Sequence, residues 1–115
     1  MEKYGRAQVV WAKAEKSAQG GYKERPVVIL ASWPCDGALD YLVVICSISR
    51  LGDPFRFGFS NADFKEGGFP EGDDQGWIRP SYATVVKAAD VTDVVGTLSD
   101  AALERILAVL RKLVG

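Results

Sequence analysis

The chain has 115 residues, of which 48% are hydrophobic and 25% are charged, and its formal net charge is -1 at pH 7. This length suits one hydrophobic core and is short for two, so we expect a single domain over residues 1–115. The charge balance argues against a protein that coats nucleic acid through a general excess of Lys and Arg, so any nucleic-acid contact must use local basic patches.

The sequence shows no segment for export or membrane insertion. Its first residues, MEKYGRAQVVWAKAEK, lack the apolar core of a signal peptide, and no run approaches the roughly 18 apolar residues of a membrane span. Cys35 and Cys46 form no CxxC pair, which favours reduced thiols. We therefore expect a cytoplasmic protein without membrane contact.

The first half of the chain is predicted to form strands separated by glycine-containing loops. Arg6–Lys13 mixes β-branched and aromatic side chains with polar ones, which predicts the first strand. Val27–Ala31 is the second, after a loop that contains Gly20 and Gly21. Tyr41–Ser49 has the strongest strand pattern, and its nearly continuous apolarity indicates burial on both faces.

The next segments mix strand patterns with a long polar stretch. Phe55–Phe59 alternates with period two and is predicted to be the returning arm of a hairpin with the preceding strand. Residues 61–76 are rich in glycine and have no periodicity, which predicts a surface loop without regular structure. Strand patterns resume at Trp77–Arg79 and Ser81–Lys87, and Pro80 between them predicts a sheet edge or a bend.

The C-terminal segment, after a short predicted strand at Val91–Val95, has a helical pattern. Ser99 is a suitable N-cap, and apolar side chains then recur at helical spacing, at Leu103, Ile106, Leu107, Leu110 and Val114. Such a helix must bury its apolar stripe against the sheet or a second subunit. Short antiparallel strands followed by one helix predict a mainly β fold, a small, partly open antiparallel barrel of the SH3-like kind with a C-terminal α-helix.

Several kinds of chemistry are excluded by composition. Histidine is absent, so Ser-His-Asp and Cys-His catalysis cannot occur. Two separated cysteines supply too few ligands for a zinc site, and neither a P-loop nor a GxGxxG motif is present. We therefore expect no metal and no cofactor.

The remaining candidates for catalytic or binding residues are arginine and small hydroxyl residues at predicted strand ends: Arg25, Ser47, Ser49, Arg79 and Ser81. A guanidinium matches a phosphate bidentately and stabilises charge that grows in a transition state, while a neighbouring hydroxyl holds a phosphate oxygen. From the residue types alone, surface salt bridges and strand-end caps remain an alternative interpretation.

The order of motifs along the chain resembles the MazF/PemK toxins of bacterial toxin-antitoxin systems. The segments that carry the resemblance are RAQVVWA, KERPVVIL after a glycine-containing loop, VVICSIS, GWIRPSY and VGTLSDAALERILAVL. They span nearly the whole chain, and the R-P strand and the G-T-L-S helix start are the most specific. The resemblance implies a dimeric SH3-like barrel that cuts single-stranded RNA at short sequences without metal and is inhibited by a cognate antitoxin.

The resemblance also implies roles for particular residues. Arg25 matches the arginine of the RNA cleavage site, and Ser49 matches the hydroxyl residue that ends the next strand, where threonine is usual. Ser47 replaces the customary proline. Arg79 stands where one branch of the family has a second arginine, with Ser81 in the place of an aspartate.

The loop before Arg25 departs from the family, since Ala18 replaces its acidic residue. Glu24 is then the best nearby carboxylate for a general base. The residues expected to contact the substrate are Ser47, Ser81, Glu24, Gln19 and Lys23. Three aromatic side chains are candidates for stacking on unpaired bases, although such residues are more often core: Trp11, Trp33 and Tyr22.

The sequence thus predicts a metal-independent endoribonuclease, with single-stranded RNA, a cognate antitoxin and a second copy of the chain as partners. An RNA 2'-hydroxyl would attack the adjacent phosphate. Arg25 would stabilise the phosphorane, Ser49 would hold a phosphate oxygen, and Arg79 with Ser81 would hold a second oxygen or the next nucleotide. Two alternatives stay open. One is a non-catalytic inhibitor of a protein such as a gyrase subunit, like the CcdB toxins, although the predicted helix ends without an aromatic residue. The other is an SH3-like binding module that has lost catalysis.

Overall fold

The computed structural model describes residues 4–16, 19–47, 55–70 and 75–114. The strands are β1 (Gln8–Lys16), β2 (Tyr22–Cys35), β3 (Ala38–Ser47), β4 (Phe57–Ser60), β5 (Phe64–Gly67), β6 (Gln75–Lys87) and β7 (Val91–Leu98), and they are followed by helix α1 (Asp100–Val114). Short 3₁₀ helices lie at Asn61–Asp63 and Ala88–Asp90. No helix in these ranges has the length and apolarity needed to cross a membrane.

The strands form one antiparallel sheet in the order β4-β6-β3-β2-β1-β7-β5. The sheet curls into a half-barrel, with α1 packed against it. This confirms the predicted mainly β fold, a partly open antiparallel barrel with a C-terminal helix.

Both faces of the central strands are buried because successive side chains point to opposite faces. Alternate residues enter two separate core clusters, one on the helix side and one on the other face. The helix-side cluster includes Val9, Val28, Val44, Cys46, Ile78 and Ile106. The opposite cluster includes Val10, Val27, Ile29, Tyr41, Val43 and Ile45. The prediction that the third strand is buried on both faces is therefore confirmed.

Helix α1 begins as its sequence predicts. The Ser99 hydroxyl accepts a hydrogen bond from the Ala102 backbone N–H at 3.2 Å, which is an N-cap contact. Ala102 and Ile106 are buried in the helix-side cluster, and Leu103, Leu107 and Leu110 pack against it half-buried. The predicted stripe therefore packs on the sheet as far as Leu110, whereas Val114 is 86% exposed and does not take part.

The segment after β4 is more regular than predicted. Residues 61–76 were expected to lack regular structure, but they contain a 3₁₀ helix, strand β5 and the start of β6. A capping box begins the 3₁₀ helix. The Ser60 hydroxyl accepts a hydrogen bond from the Ala62 backbone N–H, and the Asp63 carboxylate accepts one from the Ser60 backbone N–H. This turn joins β4 to β5, the two edge strands of the curled sheet.

The predicted hairpin between Phe55–Phe59 and the strand before it is wrong. Strand β4 pairs with β6, with Phe57 opposite Ile78, and β6 lies between β4 and β3. Local alternation showed that a strand forms here, but alternation carries no information about the partner strand.

Strand β6 runs through Pro80, where a sheet edge or a bend was predicted, and its register with β3 shifts there. Val44 pairs with Ala83, whereas the next residue of β3, Ile45, pairs with Arg79. Residues 80–82 are therefore extra on the β6 side and form a bulge, where a proline is tolerated in a sheet.

Candidate active site

A cleft of about 480 Å³ opens where β1, β2 and β3 approach β7 and residues 68–70. Most of its wall is apolar, with contributions from Trp11, Phe59, Phe69, Pro70, Val94 and Val95. Polar side chains at the cleft include Arg25, Ser47 and Asp93. An apolar cavity of this size with a few polar groups is typical of a small-ligand site.

Two residues predicted to act in the site, Arg25 and Ser47, line this one cleft. Val27 pairs with Ile45 in the β2–β3 ladder, so continuing the same antiparallel register sets Arg25 opposite Ser47. Both side chains are half-buried. A guanidinium and a hydroxyl placed in this way can hold two oxygens of one phosphate.

Arg79 lies on the same face of the sheet, because its pairing partner Ile45 precedes Ser47 by two residues on β3. It is two strands away from Arg25, or roughly 10 Å across the sheet. Its guanidinium carbon lies 3.6 Å from the centroid of the Tyr82 ring. The two arginines therefore present separate positive charges on one surface.

The other predicted contact residues do not converge on the cleft. Glu24 pairs with Lys13, is exposed and is not part of the cleft wall. Lys23 shares the face of Arg25 but is exposed beyond the cleft, and Gln19 is exposed in the preceding turn. Ser49, Ala18 and the side chain of Ser81 lie outside the described residues.

Of the three aromatic residues considered for base stacking, Trp11 lines the cleft. Trp11 pairs with Pro26 on β2 and with Asp93 on β7, so it joins the two sides of the cleft. Tyr22 and Trp33 are exposed but are not part of the cleft wall.

The wall formed by Phe69 and Pro70 is held by Asn61. The Asn61 side chain donates to the Phe69 carbonyl at 2.8 Å and accepts from the Phe69 N–H at 2.9 Å. Gly67 and Gly68 before this wall have φ of 69° and 142°, which side chains disfavour. Glycine at these positions lets the chain turn away from β5 into the cleft wall.

Asp93 and Trp77 were not singled out from the sequence. Asp93 reaches the cleft only through the pairing of β7 with β1, which no local motif indicates. Trp77 pairs with Ser47 across the β3–β6 ladder, and the Arg56 guanidinium carbon lies 5.4 Å from its ring centroid.

Cys46, which also contributes to the cleft, is 1% exposed. Burial raises the pKa of its thiol well above the usual range, so the thiol stays protonated near neutral pH. Within the described ranges, no three Cys, Asp or Glu side chains group as ligands for a metal ion.

Comparison with known proteins gives a family and a fold. Residues 5–114 match the family model described as "PemK-like, MazF-like toxin of type II toxin-antitoxin system". No curated protein matches the chain.

Solved structures of similar fold cover nearly all of the chain. An endoribonuclease in complex with its cognate antitoxin from Mycobacterial species is 17% identical, with a TM-score of 0.65, and 98% of this chain and 96% of that chain are covered. An endoribonuclease from Mycobacterial species is 16% identical, with a TM-score of 0.66 and coverage of 100% and 94%. The MazE–MazF structure (form II) from Deinococcus radiodurans is 15% identical, with a TM-score of 0.62 and coverage of 100% and 98%.

Proposed function

Because the chain belongs to the family of PemK-like, MazF-like toxins of type II toxin-antitoxin systems, we propose that it is a toxin that cuts single-stranded RNA. The observation that carries this function is the placement of Arg25 and Ser47 on one cleft, with Arg79 on the same face of the sheet. The shared fold with two endoribonucleases supports it.

The proposed reaction is an internal transfer at phosphorus. The 2'-hydroxyl of RNA loses its proton to a base, and its oxygen forms a bond to the adjacent phosphorus. The bond from phosphorus to the 5'-oxygen of the next nucleotide breaks, and that oxygen takes up a proton. The products are a 2',3'-cyclic phosphate and a 5'-hydroxyl, and no atom from outside the RNA is needed except the transferred proton.

Charge stabilisation is the main task of the protein in this reaction. Negative charge grows on the non-bridging oxygens as the phosphorane forms, and Arg25 stabilises it from the cleft. Ser47 and Ser49 donate hydrogen bonds to the same group, while Arg79 holds a neighbouring phosphate roughly 10 Å away across the sheet. The half-buried position of Arg25 strengthens the interaction because water screens it less.

Three further features belong to the proposal. The antitoxin covers the RNA-binding surface with an acidic or aromatic segment, since Arg25, Arg79 and Lys23 are natural partners for carboxylates.

The toxin acts as a homodimer in the cytoplasm. Light scattering on the purified chain tests the dimer, and a monomer at micromolar concentration would contradict it.

Incubation of the purified protein with a fluorescent mixed-sequence RNA in EDTA tests the proposed activity. We expect discrete fragments that end in a 2',3'-cyclic phosphate, detected by mass spectrometry. Arg25→Ala should give none, whereas Arg111→Ala, which changes an exposed arginine on the helix, should cut like the parent. Intact RNA after prolonged incubation with folded parent protein would exclude the nuclease and favour a binding module.

A further inference from the structure

Asp93 is the carboxylate of the cleft wall among the residues that the structure describes. It lies on β7 opposite Trp11, and its side chain is exposed. One of its carboxylate oxygens, Oδ1, accepts a hydrogen bond from the Val94 N–H at 2.9 Å, which restrains the side chain. The remaining lone pairs of the carboxylate are available to a ligand.

A carboxylate is a poor neighbour for RNA phosphate, because the two negative charges repel. With the phosphate proposed at Arg25 and Ser47, a neutral hydrogen-bond donor of the RNA suits Asp93 best. The wall of the same cleft includes Trp11, Phe69 and Pro70, whose flat apolar surfaces suit an aromatic ring. A nucleobase combines an aromatic ring with donors at its edge.

We infer that the cleft holds one unpaired base of the RNA and that Asp93 selects guanine there, an inference that rests on the RNA cleavage proposed above. Guanine presents two adjacent donors, N1–H and N2–H, which the two oxygens of a carboxylate accept together. Adenine and cytosine carry an acceptor nitrogen beside their amino group, and uracil has carbonyl oxygens on both sides of its N–H. Each of these three bases sets a lone pair against a carboxylate oxygen.

The same chemistry predicts the effect of an isosteric change. Asp93→Asn retains an oxygen for the Val94 N–H and replaces one acceptor by a donor. An amide offers one donor and one acceptor, and each of the four bases presents a donor beside an acceptor at its Watson–Crick edge. The substitution should therefore remove the preference for guanine without favouring one other base, and it should leave the fold unchanged.

Base selection is measured by binding, without cleavage. The probes are short 2'-O-methyl oligouridylates that carry one central guanine, adenine, cytosine or uracil, and the methyl group blocks the attacking hydroxyl. Fluorescence anisotropy should show that the parent protein binds the guanine probe about tenfold more tightly than the uracil probe. Asp93→Asn should lose this preference and bind the four probes with similar affinities. Asp36→Asn, on an exposed turn outside the cleft, is the matched control and should behave like the parent.

Equal binding of all four probes by the parent would overturn the inference, as would a guanine preference that survives in Asp93→Asn. An Asp93→Asn protein that keeps the guanine preference but loses affinity for the antitoxin would assign the residue to the protein partner instead. If the protein prefers the guanine probe but does not cleave unmodified RNA, the proposed nuclease activity is contradicted. The inference that Asp93 selects guanine would still hold.

Discussion

The guanidinium carbon of Arg79 lies 3.6 Å from the centroid of the Tyr82 ring, across the bulge at Pro80. The Nε atom of Arg79 is buried and has no hydrogen-bond partner among the residues that the structure describes. Stacking on Tyr82 therefore supports the orientation of the arginine. The bulge makes this contact, because in an unbroken strand residues 79 and 82 would lie on opposite faces.

Removing the Tyr82 ring should weaken catalysis through Arg79. We expect Tyr82→Ala to lower kcat/KM for RNA cleavage by about three- to tenfold, which is the size of a partly exposed cation–π interaction. Tyr82→Phe keeps a ring under the guanidinium and should retain most of the activity. Unchanged kcat/KM in a folded Tyr82→Ala protein would show that the stack does not position Arg79 for the reaction.

Arg25→Ala should lower the cleavage rate by about 10²- to 10³-fold, because it removes a charge placed where the phosphorane forms. Arg25→Lys should also be strongly impaired, since an ammonium retains the charge but cannot bind bidentately. Circular dichroism should show an intact fold in both variants. Undiminished cleavage by folded Arg25→Ala would place the active site elsewhere.

Loss of the Ser49 hydroxyl should have a smaller effect than loss of Arg25. Ser49→Ala is expected to lower the rate by about tenfold, because a neutral hydrogen bond contributes less than a charged bidentate one. Single-turnover cleavage of a fluorescent RNA measures the difference. A loss as large as that of Arg25→Ala would indicate that the serine does more than hold an oxygen.

Much of the fold could be predicted because its signals are local. Continuous apolarity in Tyr41–Cys46 reflects burial on both faces, and the spacing of Leu103, Ile106 and Leu110 reflects one helix face packed on a sheet. Strand β5 was missed because its four residues owe their conformation to the capped turn at Asn61–Asp63 and to pairing with β7. Neither effect is visible in a window of a few residues.

In the candidate site too, some residues have a local sequence signal and others are brought in only by the tertiary structure. Arg25 was found through a motif, and Ser47 lies on the adjacent strand, so the short connection between β2 and β3 brings them together. Glu24 is the nearest carboxylate to Arg25 in sequence, but it is exposed and does not line the cleft. Asp93 is distant in sequence and enters the cleft through the β1–β7 register, which is a tertiary property.

Ile106 should be important for stability. It is 0% exposed between α1 and the sheet, so Ile106→Ala leaves a cavity and is expected to lower the free energy of unfolding by about 2–5 kcal/mol. Leu113→Ala, at a position that is 38% exposed on the same helix, should cost much less. Urea denaturation followed by circular dichroism compares the two. Equal losses would mean that the helix packs differently.

The two cysteines should differ in reactivity toward a thiol reagent at mildly alkaline pH. Burial raises the pKa of Cys46 and blocks access to it, whereas Cys35 is partly exposed. One thiol per chain should react in the folded protein and two after denaturation. In Cys35→Ser, no thiol should react until the protein unfolds. Rapid labelling of native Cys35→Ser would show that the cleft opens to expose Cys46.

The β1–β7 ladder has a consequence for the order of events during synthesis. Gln8 pairs with Thr97, so the first strand acquires its second neighbour only after nearly the whole chain has been made. A nascent chain that ends before β7 can form the local β1–β2 and β2–β3 hairpins, and with them the Arg25 side of the cleft, but it lacks the Asp93 side. Such high contact order slows folding. Toxicity should therefore arise after release from the ribosome, which gives an antitoxin time to meet its target.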